Sequence, residues 1–119
     1  MIKVYCYERC STCKKAIAWL DANEYKYEMI DIKSCNPSEE ILRSLQEKSG
    51  LPLKRFFNTS GILYRQMNLT EKLKTISDDE QFELLATDGM LVKRPILITD
   101  SDVCVGFREN EWMAAMGKM

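Results

Sequence analysis

At 119 residues, with 45% hydrophobic and 29% charged side chains, the chain has the size and balance of one soluble globular domain whose core needs no staples. A formal charge of −1 gives no general pull toward nucleic acid or an anionic membrane, and no apolar run approaches the roughly 20 residues of a membrane span. Histidine is absent, which removes Ser-His-Asp and Cys-His catalysis and every metal site that needs imidazole.

Ile2 to Cys6 alternates well enough for a first strand, and it runs directly into Cys10-Ser11-Thr12-Cys13. Ala16, Ile17 and Leu20 continue with helix spacing to about Asn23, so Cys10 is expected at or beside the helix N-cap and Cys13 one turn inside. Residues three apart on a helix are neighbours, at a Cα separation of about 5 Å that suits a disulfide. The unpaired N–H groups of the first turn, the helix dipole, and Arg9, Lys14 and Lys15 all favour a thiolate at Cys10. Strand, Cys-x-x-Cys and helix in this order are the arrangement of a redox dithiol.

Tyr25 to Ile32 reads as a second strand, parallel to the first because a helix intervenes. Asn36-Pro37-Ser38-Glu39 predicts a helix start with Asn36 as N-cap, Pro37 at N1 and Glu39 closing a capping box. Ile41, Leu42 and Leu45 form that helix's buried stripe, and Gly50 is its stop. Leu51 to Val92 offers no convincing strand; short helices broken at Asn58 to Gly61 are expected, then a capping box at Ser77-Asp78-Asp79-Glu80. Ile96 to Thr99 and Val103 to Gly106 predict a hairpin around Asp100-Ser101-Asp102, and Glu109 to Met116 a last helix. The order is β-α-β, a helical stretch, then β-β-α: an α/β, thioredoxin-like fold in one domain over 1–119, with a helical insert at about 37–92.

Five cysteines is an odd count, and Cys-x-x-Cys without the zones of a signal peptide fits the reducing cytoplasm. Cys6, Cys10 and Cys13 also spell the C-x3-C-x2-C of radical-SAM clusters, but such enzymes need a large barrel domain, and Cys6 falls on a strand. A zinc site with Cys35 lacks the second close pair that structural zinc uses. Cys35 reads as a loop residue and Cys104 as a small buried strand side chain. No metal is therefore expected. Two ordinary thiols meeting by chance is the plain alternative for Cys10 and Cys13.

Cys10-Ser11-Thr12-Cys13-Lys14-Lys15-Ala16 with Trp19-Leu20, Asp31-Ile32, Lys93-Arg94-Pro95-Ile96 and Val105-Gly106-Phe107 resembles the ArsC/Spx family over essentially the whole chain. The resemblance implies an ArsC-like thioredoxin fold with a helical insert, and a cis Pro95 facing the cysteines. It implies one of two activities. Arsenate reductases of this kind use one cysteine, here Cys10, on arsenate held by arginines, and an external thiol completes the reduction. Spx-type proteins use the Cys-x-x-Cys as a redox switch and bind the RNA polymerase α subunit without reading DNA alone. Of the arginines that clamp the oxyanion, Arg94 is matched, whereas the insert arginine falls on Asn58 and the late one on Phe107, with Arg108 next door. One guanidinium is poor electrostatics for a multiply charged oxyanion, and Cys13 stands where the reductases have no resolving thiol. The expectation is thus a thiol–disulfide oxidoreductase with Cys10 as nucleophile, Cys13 as resolving thiol and Arg94 as anion holder. Thr12, Lys14, Asn58, Pro95 and Arg108 are its expected substrate-binding residues. It is expected to be a monomer with no bound cofactor, served by an external donor such as glutathione with glutaredoxin, or thioredoxin. A redox-sensing transcriptional regulator on polymerase α is the alternative.

Overall fold

A computed structural model describes residues 1–118, and its chain divides into two units: Met1–Ile32 with the chain from Arg94 onward, and Lys33–Lys93. The first unit is built on a four-stranded sheet of β1 (Lys3–Cys6), β2 (Glu28–Asp31), β3 (Ile96–Ile98) and β4 (Val103–Val105), in the order β2-β1-β3-β4. β2 pairs parallel to β1, as the helical crossover α1 (Ser11–Ala22) requires, and β3 pairs antiparallel to both β1 and β4. The register sets Val4 opposite both Met29 and Leu97, and Leu97 opposite Cys104, so these side chains share one face. Cys6, two residues beyond Val4, lies on that face too.

Against this face α1 brings Cys13, Ala16 and Leu20, and α6 (Glu109–Gly117) brings Trp112, Ala115 and Met116. The positions i, i+3, i+7 of the first set and i, i+3, i+4 of the second put each on one helical stripe. Trp112 is fully buried, its indole N–H donates to the Gly106 carbonyl at 3.0 Å, and its ring meets Phe107 edge-on at 4.9 Å. A large apolar body with its polar atom satisfied anchors the core under the sheet.

The second unit is helical: α2 (Glu39–Ser49), a 3-10 turn at Leu53–Phe56, α3 (Ile62–Gln66), α4 (Leu69–Lys72) and α5 (Asp78–Thr87). α2 packs on α5, with Leu42 and Leu45 of one and Phe82 and Leu85 of the other buried. Arg43 ties the pair, bonding Asp79 at 2.8 Å while stacking over the Phe82 ring at 4.5 Å. The Ser77 capping box is present, with the Ser77 hydroxyl accepting the Glu80 N–H and the Glu80 carboxylate accepting the Ser77 N–H. Phe57 and Val92 form a single antiparallel bridge, so the stretch carries no strand proper.

Three local expectations are corrected. α2 is capped by Ser38, whose hydroxyl accepts the Ile41 N–H at 3.2 Å, and not by Asn36. Asn36 instead donates to the Ala86 carbonyl at 2.7 Å, a partner from a distant segment that no local pattern reveals. With Ser38 as cap, Glu39 is N1 and serves the helix dipole. β2 is also shorter than Tyr25 to Ile32: Glu24 adopts a left-handed φ of 59°, and Tyr25 turns to stack on Trp19 at 5.8 Å. α6 runs one residue further than expected, through Gly117.

Trp112→Ala should lower unfolding free energy by about 3–5 kcal/mol, the usual cost of emptying a buried aromatic site. Ser77→Ala should cost about 1 kcal/mol, the value of an N-cap. Urea denaturation followed by circular dichroism measures both, and equal losses would mean the core is not centred on Trp112.

Candidate active site

β1 ends at Cys6, and a turn over 7–9 closes when the Cys10 N–H donates to the Tyr7 carbonyl at 3.0 Å. Cys10 is the N-cap of α1, with extended φ −91° and ψ 118°, and its carbonyl takes the Lys14 N–H at 3.1 Å. Its Sγ accepts the Cys13 N–H at 3.4 Å. A sulfur thus fills the place usually taken by a serine hydroxyl or an aspartate oxygen. The half-exposed sulfur receives an amide at the positive end of a helix, with no acidic residue in the first turn.

Cys13, one turn in, is buried at 2% exposure. Its thiol is pushed well above the ordinary value of 9.0, first by a hydrogen bond with Cys6 and then by burial. The Tyr7 N–H, which donates to the Cys13 Sγ at 3.5 Å, opposes that shift without reversing it. All five cysteines are free thiols. Cys35 is exposed on a turn, and Cys104 is half-buried on β4 with its thiol pushed up to about 11, chiefly by burial.

The Arg94 guanidinium lies 5.3 Å from the centre of the Tyr7 ring, the residue whose backbone reaches both cysteines. Pro95 follows through a cis peptide bond, is buried, and its carbonyl takes the Gly106 N–H at 2.8 Å. Because Tyr5 pairs with Ile96, Pro95 stands at the same end of the sheet as Cys6, where α1 begins. Thr12 and Lys14 are exposed on the first turn of α1. Arg108 caps α6 and its exposed guanidinium pairs with Glu111 at 3.6 Å. Asn58 belongs to the 33–93 unit, where its N–H donates to the Leu91 carbonyl and its side chain lies against Gly61.

A groove of about 520 Å³ opens in the first unit, lined by Cys6, Cys13, Lys14, Ile17, Met29 and Asp31 among others. Among the described residues, no group of three or more Cys, Asp or Glu side chains is arranged to hold a metal ion. Two participants escaped the sequence reading, Tyr7 as amide donor and Cys6 as partner of Cys13. The alternation of β1 carried the second signal, since it turns Val4 and Cys6 to the helix side of the strand.

With this geometry in place, comparison with known proteins is decisive. The model of the ArsC family matches residues 5–115. The chain belongs to the ArsC family. It is 52% identical over 108 residues to the uncharacterized protein YusI of Bacillus subtilis (strain 168), covering 91% of this chain and 92% of that one. The global transcriptional regulator Spx 2 of Bacillus anthracis is 23% identical over 111 residues, 93% of this chain and 83% of that protein. Among solved structures, an ArsC family related protein from Bacteroides fragilis superposes with a TM-score of 0.93 at 45% identity, covering 95% of each chain. A "possible arsenate reductase" from Streptococcus mutans UA159 follows at 0.86 and 44%, covering 95% of this chain and 98% of the other. The ArsC-like thioredoxin fold expected from the sequence is therefore the fold of this protein.

The two thiols should separate chemically. Thiolate is the reactive form, and a raised value keeps Cys13 protonated, so native protein treated with iodoacetamide at pH 8 should be labelled at Cys10 and Cys35 but not at Cys13. Peptide mapping reads this, and equal labelling of Cys13 would overturn it. Unfolded Cys13 ionises near 9.0 while the folded thiol holds its proton, so stability should fall as pH rises past 9, by at most about 1.4 kcal/mol per unit. Cys13→Ala should remove that part of the slope.

Proposed function

We propose that the protein is a thiol–disulfide oxidoreductase in which Cys10 is the nucleophile and Cys13 the resolving thiol. The observation that carries this reading is the Cys10 sulfur receiving the Cys13 amide at the N-terminus of α1. Cys10 thiolate attacks one sulfur of a substrate disulfide; the Cys10–substrate bond forms and the other substrate sulfur leaves as thiolate. Cys13 then gives up its proton and attacks the Cys10 sulfur, which closes Cys10–Cys13 and releases the remaining substrate thiol. An external thiol donor, glutathione with glutaredoxin or thioredoxin, reduces that disulfide and completes the cycle, with no bound cofactor. The order follows the environment: the half-exposed sulfur at the helix terminus attacks first, while the buried one is held protonated until a partner disulfide lies beside it.

Arg94 offers a guanidinium for an anionic group of the substrate or of glutathione, and the Pro95 loop receives an extended thiol-bearing segment. Thr12 and Lys14 border the same turn, with Lys14 supplying charge alone. In this reading the substrate is a disulfide and not arsenate, because Asn58 and Phe107 stand where further arginines would be needed to clamp a multiply charged oxyanion. The protein works as a cytoplasmic monomer with a thiol reductant as its partner. A second reading, a redox-sensing regulator that binds the RNA polymerase α subunit, is supported by the similarity to Spx 2 across 93% of the chain.

Turnover of a glutathione mixed disulfide, with glutathione and glutathione reductase supplied, separates the two. Wild type should turn over, Cys10→Ser should lose activity by at least about 100-fold, and Cys13→Ser should accumulate a Cys10 mixed disulfide visible by mass. No turnover, combined with capture of polymerase α in only one redox state, would replace the enzyme with the regulator. Arg94→Lys should raise KM for the anionic substrate by about tenfold or more if the planar fork holds it, and unchanged kinetics would remove Arg94 from the site.

A further inference from the structure

Cys6 is the one member of the C-x3-C-x2-C run that the mechanism above leaves idle. It ends β1, is buried at 4% exposure, and faces the helix side of the sheet with Val4. Cys13 meets it from the first turn of α1: the Tyr7 N–H, the amide that follows Cys6, donates to the Cys13 Sγ at 3.5 Å, and both cysteines belong to one buried cluster. Both line the groove of about 520 Å³, whose remaining walls include the Ile17 and Met29 side chains and the Asp31 carboxylate, while Cys10 is absent from that lining. Cys13 therefore has a cysteine neighbour on each side: Cys10, whose Sγ accepts its amide, and Cys6, packed with it in the same cluster and on the same groove. A buried cysteine ordinarily acts as a small hydrophobe. One packed beside a redox thiol, at the wall of an open groove, is placed to exchange with it.

We propose that Cys6 is a third redox thiol, which takes over the Cys10–Cys13 disulfide as Cys6–Cys13 and frees Cys10. This rests on the dithiol reading given above. Cys6 attacks the Cys13 sulfur of the Cys10–Cys13 bond; the Cys6–Cys13 bond forms, the Cys10–Cys13 bond breaks, and the proton lost by Cys6 ends on Cys10 or in solvent. The number of disulfides is unchanged, so the step consumes no oxidant or reductant. The sulfur released is the one that receives an amide at the helix terminus, while Cys6 and Cys13 stay together in the buried cluster. The disulfide then lies on the groove, which becomes the place where a reducing thiol of the external donor must enter. Nucleophile and stored disulfide thus open onto different surroundings, and Cys10 is reset before reduction.

The test uses the full chain oxidised with diamide, acid-quenched and mapped by peptide mass spectrometry. Cys10→Ser should form an intramolecular Cys6–Cys13 disulfide. In wild type, Cys10–Cys13 should appear first and convert to Cys6–Cys13 at constant total thiol count. Maleimide labelling of Cys10 should then recover to its reduced-state rate, whereas in Cys6→Ala it should stay lower by about tenfold or more. If Cys6→Ala forms Cys10–Cys13 but Cys10→Ser yields no Cys6–Cys13, the relay is wrong and the dithiol stands. If Cys6→Ala forms no Cys10–Cys13 disulfide, the dithiol reading itself fails, and the relay with it.

Discussion

The amide of Cys13 pointing at the sulfur of Cys10 is the contact on which the site depends. A helix leaves its first N–H groups without partners, and the cap residue normally answers with an oxygen. Here the answering atom is a sulfur, which is larger, softer and able to give up its proton. The helix start and the half-exposed sulfur are consequently the same structural feature: whatever orders the first turn of α1 also positions Cys10.

Three packing decisions keep that turn in place. β1 delivers the chain to it from inside the sheet, paired on both sides. Leu20 and Ala16 hold α1 on the face lined by Val4 and Leu97, and Trp112 closes the layer from α6. The pairing of β3 with β1 and the Gly106 N–H on the Pro95 carbonyl bring the β3 entrance to the same edge, with Arg94 over Tyr7. None of these groups reacts, yet each limits where the two sulfurs can go.

The asymmetry between the sulfurs follows from burial more than from charge. Cys10 sits half in solvent at a helix end, and Cys13 sits under it against Cys6, where an ionised thiol would lose its hydration and crowd a second sulfur. A pair of identical residues three positions apart thereby acquires different surroundings. The same burial that quiets Cys13 brings it against the strand cysteine.

Much of this was legible in the chain itself. Element order, the helix start at Cys10, the capping box at Ser77, the stop at Gly50 and the β3–β4 hairpin all follow from local patterns. Periodicity and capping are properties of neighbouring residues, and a single sequence displays them. What the sequence misjudged had distant causes: Asn36 leaves the cap for a carbonyl fifty residues away, and Tyr25 leaves the strand to stack on Trp19. The nearness of Cys6 to Cys13 belongs to the same class. Spacing along the chain supplied the three sulfurs, but only the packing of α1 onto β1 decided which of them touch, because contact between a strand and a helix is set by the sheet register and the core that joins them.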